Sequence, residues 1–232
     1  SLLLKPDIIQ SHDCNTILGG AMIKKKLSIP LVYDSHELYL ERNIGERSRW
    51  WDKKQWSPIE KKCIKKCDVV MTVSQGIVEH LNTQYGRDDV VLVRNVQPYH
   101  EPPKRNNLLR TELGIPDGKK IGLYIGAITF NRGVEELIEA AVNLTNCAIV
   151  IMGPAINPDY VDELKAQAKK LGVLNTTVFF RGPVESSRVL EYVASADIGV
   201  VPTQACCLSY EFESSNKIFH CVMAGVPLAM SN

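Results

Sequence analysis

Ile121–Ala141, IGLYIGAITFNRGVEELIEAA, is the stretch whose reading decides the fold. Ile121–Ile125 is apolar apart from one small glycine, the pattern of a parallel strand covered on both faces. Gly126 ends that strand. Val134, Leu137, Ile138 and Ala141 then recur at helical spacing, while Glu135, Glu136 and Glu139 hold the opposite face. Acids in a first turn suit the positive end of the helix dipole, and the free N–H groups there favour a phosphate bound in front of it. Arg132 stands beside that end. The whole is a βα unit, which an arginine that is merely solvated would also fit.

Outward from this unit the alternation repeats. Strands are expected at Ala148–Met152, Thr177–Phe180 and Ile198–Val201, separated by helices at Val134–Leu144, Pro158–Leu171 and Ser186–Ala194. Upstream, Pro6–Gln10 reads as a short strand, followed by a helix with Ile17, Leu18, Ala21, Met22 and Leu27 inward and a strand at Ile29–Tyr33. Asp68–Val73 and Val90–Val93 add two more strands, with Ser74 as a helix N-cap between them. Between the halves, Pro98, Pro102, Pro103 and Pro116 mark a linker enclosing a short helical piece around Leu108–Leu113. The expected division is 1–97 as an N-terminal Rossmann-like domain, 98–120 as linker and 121–232 as a C-terminal one. The two parallel sheets would face a cleft in which a ligand binds.

Composition narrows the class. With 232 residues, 45% hydrophobic and 23% charged, the chain is globular, and a net charge of +1 argues against a nucleic-acid binder. Seven cysteines at no regular spacing do not form a disulfide framework, which points to a reducing, cytoplasmic setting. Cys63 and Cys67 lie one helical turn apart, but no second Cys or His pair stands at zinc-finger spacing, so no metal is expected. No stretch approaches a membrane span, and Ser1–Lys5 is too short for a leader. Ser48–Lys66 carries Trp50, Trp51 and Trp56 among basic residues. It reads as a solvated helix with buried aromatics, with a membrane- or acceptor-facing surface as the alternative.

His12–Asp13 and Asp34–Ser35–His36–Glu37 each follow a strand's carboxyl end, the edge where open α/β sheets place ligands. Asp13 or Asp34 could instead cap the segment that follows. Near the end of the chain, Ser209–Asn232 gives a helix capped by Ser215 or Asn216, with Ile218, Phe219, Val222 and Met223 inward, closed by Gly225 and followed by a strand at Val226–Ala229. Lys217 would lie in that helix's first turn, an unfavourable place for a cation unless it meets an anion. With Arg132 at another helix start, two cations converging on one phosphate group are expected.

The order of Pro6-Asp-Ile-Ile and His12-Asp13, PLVYDSHEL, Glu60 before DVVMTVS, Asn95, LYIGAITFNRG, RGPV, ADIGVVP and NKIFHCVMAGVPLAMS resembles glycosyltransferase family 4, the retaining nucleotide-sugar enzymes of GT-B fold. The resemblance covers nearly the whole chain. It implies that Gly126 approaches the donor, that Arg132 and Lys217 bind its diphosphate, and that His12 faces the transferred sugar. Asp34 and Glu37 would lie on the acceptor side. The family's terminal motif pairs two glutamates eight residues apart; here the second is His220, and the first falls at Phe212, flanked by Glu211 and Glu213. His220 is thus expected at the nucleotide ribose, with Glu211 or Glu213 as the alternative. Ala127 stands where many members carry a basic residue. The glycine-rich opening loop and long closing helix of the family are not in this sequence, so the fold is expected to be incomplete at both ends.

The implied activity is metal-independent retaining transfer of a hexose from a nucleotide-diphosphate donor to a glycan, lipid-linked or other hydroxyl acceptor. It needs no cofactor, and peripheral membrane contact is compatible with it. A catalytically weak nucleotide-sugar-binding or scaffolding protein, or a GT-B sugar-nucleotide epimerase, would share the phosphate cations. An oxidoreductase is disfavoured, because no Gly-x-Gly-x-x-Gly follows a strand.

Overall fold

A computed structural model describes residues 4–44 and 46–231; the opening Ser1–Leu3, read above as part of a stretch too short for a leader, and the terminal Asn232 lie outside them. The chain divides into two compact units, one of residues 1–95 with 205–214 and one of residues 96–204 with 215–232.

The first unit runs β1 (Ile9–His12), α1 (Cys14–Leu27), β2 (Leu31–Ser35), α2 (Glu46–Ile64), β3 (Val69–Thr72), α3 (Gln75–Tyr85) and β4 (Val91–Leu92). Its strands form a parallel sheet in the order β1-β2-β3-β4, with His12 paired in register with Asp34. Ser74 caps α3, its hydroxyl accepting from the Ile77 N–H at 3.3 Å. The inward face of α1 is Cys14, Ile17, Gly20 and Ala21, while Leu18 and Met22, expected inside, are exposed. Contact distance explains the shift. A Cβ at Gly20 would collide with the Ser11 side chain of β1, so the helix lies close to the sheet along its small residues.

Helix α2 departs from expectation in the same way. Trp50 and Trp51 are about half exposed, at 55% and 52%, rather than buried, and Lys54 Nζ lies 5.0 Å and 5.2 Å from their ring centroids. Cys63 and Cys67 do sit inside, as core residues whose thiols burial pushes upward, Cys67 to about 12.

Glu60, also on α2, is buried and accepts hydrogen bonds from the Tyr33 hydroxyl at 2.6 Å and the Tyr85 hydroxyl at 2.5 Å. Burial raises its carboxyl above the ordinary 4.5, the two phenols opposing that rise. The folded form therefore holds its proton more tightly than the unfolded chain. Its contribution to stability is fully present below about pH 4.5 and declines as pH rises through the folded value. Tyr85→Phe leaves the carboxyl with one donor and is expected to cost about 1–3 kcal/mol in urea unfolding at neutral pH, since a buried acceptor left short of partners carries its desolvation penalty. A change under about 0.5 kcal/mol would show that water replaces the phenol.

The second unit contains α4 (Leu108–Leu113), β5 (Lys120–Ile125), α5 (Val134–Ala140), β6 (Cys147–Met152), α6 (Pro158–Lys170), β7 (Val178–Arg181), α7 (Val189–Val193) and β8 (Ile198–Val201). After α8 (Leu208–Glu211), which belongs to the first unit, come α9 (Asn216–Met223) and β9 (Leu228–Met230). Its parallel sheet has the order β7-β6-β5-β8-β9, so the winding reverses at β5. Ile121, Leu123 and Ile125 of β5 enter a core with Ala148, Val150 and Met152 of β6, while Tyr124 packs on the other face with Val134 and Ile138 of α5. The proline-rich stretch expected as linker contributes to this unit too, since Leu109 and Ile115 are buried in its core.

Candidate donor-binding and histidine sites

An open α/β sheet binds ligands at the carboxyl ends of its strands where the winding reverses. In the second unit that point is the end of β5, which is Gly126. Its φ of 140° lies in a region that side chains rarely adopt. A Cβ placed there would lie 2.6 Å from Cε of Lys217. Gly153, which follows β6, is packed so closely that a Cβ on it would meet the Gly126 carbonyl. This partner was not foreseen, although it follows from the β5–β6 register, in which Ile125 pairs with Met152.

The loop opened by Gly126 passes Ala127, Asn131 and half-buried Arg132 and closes at Gly133, whose φ is 75°. Gly133 lies against the Pro202 backbone just past β8, where no side chain would fit. Arg132 is thereby held between two glycine turns at the switch point. The Tyr124 hydroxyl donates to the Ala127 carbonyl at 2.8 Å and fixes the start of the loop.

Lys217 comes to the same place from α9. It is 7% exposed, and its ammonium lies 5.1 Å from the Tyr124 ring centroid. The inward face of α9 is Lys217 and Cys221, continued by Ala224, whereas Val222, expected inside, is 67% exposed. A lysine thus occupies a core-facing position in a helix's first turn, where the dipole disfavours a cation and favours an anion beside it. One turn on, His220 has Nε2 buried with no hydrogen-bond partner among the described residues. Desolvation lowers the pKa of this imidazole from 6.5, so it is neutral at pH 7. Glu211 and Glu213 belong instead to residues 205–214 of the first unit. Phe212 between them packs on that unit's core against Gly76, which accounts for an aromatic residue where a carboxylate was sought.

Gly126→Ala is expected to displace the Lys217 side chain, since that flexible chain is the nearest obstacle. Donor affinity should fall with it, at least tenfold by calorimetry, about 1.4 kcal/mol. Unchanged affinity would place the donor away from Gly126.

In the first unit, β1 and β2 bring together residues 22 to 24 positions apart in sequence. His12 Nδ1 lies 2.9 Å from His36 Nε2, and Asp34 Oδ2 lies 3.4 Å from the first and 3.2 Å from the second. Asp34, buried, also accepts from Gln10 Nε2 at 2.8 Å. Neither aspartate caps a helix through its side chain as the capping reading supposed. Asp13, with φ 58° and ψ 168°, makes no side-chain cap on α1, and its Oδ1 accepts from the His36 N–H at 3.0 Å. That backbone conformation costs on the order of 1–3 kcal/mol for a non-glycine residue. Glu37 is half-buried, with its carbonyl accepting from the Ser35 hydroxyl at 2.8 Å. Next to Ser35 a cavity of about 460 Å³ opens, bounded by Tyr39, Trp50, Lys53, Glu60 and His80; neither Asp34 nor Glu37 lines it.

Comparison with known proteins bears on the family and the fold. Residues 2–96 match the family Glycosyltransferase Family 4, and residues 106–212 match Glycosyl transferases group 1. An uncharacterized glycosyltransferase of Methanocaldococcus jannaschii is 29% identical over 86% of this chain and 52% of its own length. Alpha-maltose-1-phosphate synthase of Mycolicibacterium smegmatis is 26% identical over 84% of this chain and 53% of its own. The chain thus spans about half the length of the curated relatives it matches. The crystal structure of Anabaena HepE in complex with UDP-glucose superposes with a TM-score of 0.76 at 19% identity, covering 97% of this chain and 59% of that one. The chain belongs to glycosyltransferase family 4 and has the two Rossmann-like α/β units of the GT-B fold.

Proposed function

We propose that the protein is a retaining hexosyltransferase that moves a sugar from a nucleoside-diphosphate donor to a hydroxyl of a glycan or lipid-linked acceptor. The observation that carries this reading is buried Lys217 crossing Gly126 at the switch point of the second unit. Arg132 and Lys217 meet the donor diphosphate, and His220 Nε2 meets the ribose, with Glu211 or Glu213 as the alternative there. In the reaction the bond from the anomeric carbon to the diphosphate oxygen breaks while the acceptor oxygen attacks the same face of the sugar. The acceptor proton leaves with the departing phosphate. Fixed cations stabilise the negative charge that builds on the leaving group, so transfer needs no metal and no cofactor. His12 faces the sugar, and Asp34 and Glu37 orient the acceptor side.

The cavity beside Ser35 offers the Tyr39 and Trp50 rings to a sugar acceptor. Trp50, Trp51 and Lys54 on the exposed face of α2 suit peripheral contact with a membrane carrying a lipid-linked acceptor, in a cytoplasmic setting. No helix among the described residues is long and apolar enough to cross a membrane.

The relatives' names support the activity class: one is called a glycosyltransferase and another a maltose-phosphate synthase, and the HepE structure holds UDP-glucose. Incubation with nucleotide-diphosphate sugars and acceptor glycans, in the presence of a chelator, tests the reading. Glycoside of the donor's own anomeric configuration is the expected product. Donor binding without product would favour a nucleotide-sugar-binding protein, the reading to which Ala127 lends weight by leaving the loop one cation short of the family pattern.

His220 gives a pH signature. A neutral imidazole offers ribose a single acceptor nitrogen, and an imidazolium offers none. An ordinary imidazole would bring the loss of donor affinity near pH 6.5; burial moves it to more acid pH. Donor affinity measured by calorimetry should therefore hold from pH 8 to about 6.5 and weaken only below that. Weakening centred above pH 6.5 would show that His220 is not the group that titrates.

A further inference from the structure

We propose that His12, Asp34 and His36 form a binding site for a divalent metal ion of the zinc type. Their three donor atoms, Nδ1, Oδ2 and Nε2, stand 2.9, 3.2 and 3.4 Å apart. A metal held by bonds of about 2.0–2.1 Å requires its donors about 3.3 Å apart in a tetrahedron and about 2.9 Å apart in an octahedron. The triangle already has the size of one face of such a polyhedron, so an ion can enter above it without backbone movement. Two imidazoles and one carboxylate suit zinc and its first-row neighbours, whereas magnesium and calcium prefer oxygen alone.

The donors are held in place by their surroundings. Register fixes His12 beside Asp34 on neighbouring strands, and Gln10 Nε2 steadies the aspartate oxygen. The Asp13 carboxylate ties down the His36 backbone N–H, and the Asp13 N–H donates to the Asp34 carbonyl at 2.9 Å. Such supports orient ligands and raise affinity. The histidine side chains are 57% and 43% exposed, so the positions opposite the protein donors face solvent and remain open to water or another ligand. Three protein ligands with open positions is the arrangement of a reactive or exchangeable site rather than of a closed structural one.

The site also has a consequence for transfer, and this part rests on the function proposed above. An ion on His12 Nδ1 and His36 Nε2 ties up the His12 imidazole that faces the sugar. Zinc is then a reversible inhibitor of an enzyme whose chemistry needs no metal.

The experiment is titration of the reduced chain with zinc chloride by calorimetry, with cobalt(II) as a spectroscopic stand-in. One ion per chain is expected, with a tetrahedral cobalt spectrum that lacks a thiolate charge-transfer band. His36→Ala and the isosteric Asp34→Asn should each weaken binding by at least ~100-fold while keeping the wild-type melting temperature without metal. Cys206→Ser, which removes the exposed thiol, should leave zinc binding unchanged. No stoichiometric binding, or binding that survives in His36→Ala, overturns the proposal. Transfer unchanged in the zinc-loaded wild type overturns the inhibition. Absence of transfer in every form would count against the proposed function, and the titration alone would still decide the metal site.

Discussion

Lys217→Met is expected to lower kcat/KM for the nucleotide-sugar donor by roughly 30- to 150-fold, about 2–3 kcal/mol, while leaving the ligand-free chain close to the wild type in stability. The loss is that of a charge-assisted contact to a diphosphate, which matters most as the leaving group gains charge. The stability comes from the place Lys217 occupies. It is 7% exposed and lies in the first turn of α9, so an apolar chain of similar length fills the same space without an ammonium at the positive end of a dipole. Donor kinetics and urea unfolding on the same variant separate the two roles. A variant that loses stability and keeps its kcat/KM would make Lys217 a packing residue. Arg132→Ala should show the same kinetic loss, and the double variant less than the sum of the two, because both act on one anion.

His12→Ala is expected to reduce kcat on the order of 100-fold with little change in donor KM, the size of effect seen when a single polar group aimed at a reacting centre is removed. Its side chain is 57% exposed, so its loss should cost the fold no more than about 0.5 kcal/mol. The 2.9 Å contact with His36 adds a finer expectation. The two rings share a hydrogen bond, so one must carry the hydrogen between them, and replacing either disturbs both. His36→Ala should therefore cost a comparable factor, and the double variant little more than either alone. Steady-state kinetics on the three variants with melting curves check this. A large fall in melting temperature with normal specific activity would make the pair structural.

The strands were legible because a parallel strand covered on both faces is a continuous apolar run, and Ile121–Ile125 in β5 and Ala148–Met152 in β6 are such runs. Helix faces were less so. In α1 and α9 the count of apolar residues pointed to Leu18, Met22 and Val222, yet Gly20, Cys14, Lys217 and Cys221 face inward. Periodicity finds the face of a helix that is greasiest, whereas packing selects the face that fits. Gly20 has to touch Ser11, and Lys217 has to reach Gly126.

The site was legible in parts. Arg132, Lys217 and Gly126 each show a local signal, a cation or a glycine at the junction of a strand and a helix. His12, Asp34 and His36 likewise stand at the carboxyl ends of strands, but their meeting in a triangle does not show locally, because it depends on the pairing of β1 with β2, and a register shift of one residue would send the side chains to opposite faces. The exposure of Trp50 and Trp51 was hidden for a related reason: nothing in the residues of α2 says which neighbour, if any, covers them.

The second unit is expected to bind a nucleoside diphosphate through Lys217 where the sheet reverses at β5. Isothermal titration of UDP and UDP-glucose into the wild type and Lys217→Met tests it most directly. Saturable binding of at least one of them to the wild type is expected, with an affinity roughly 30-fold or more lower in the variant. Equal affinity in the two proteins would contradict it.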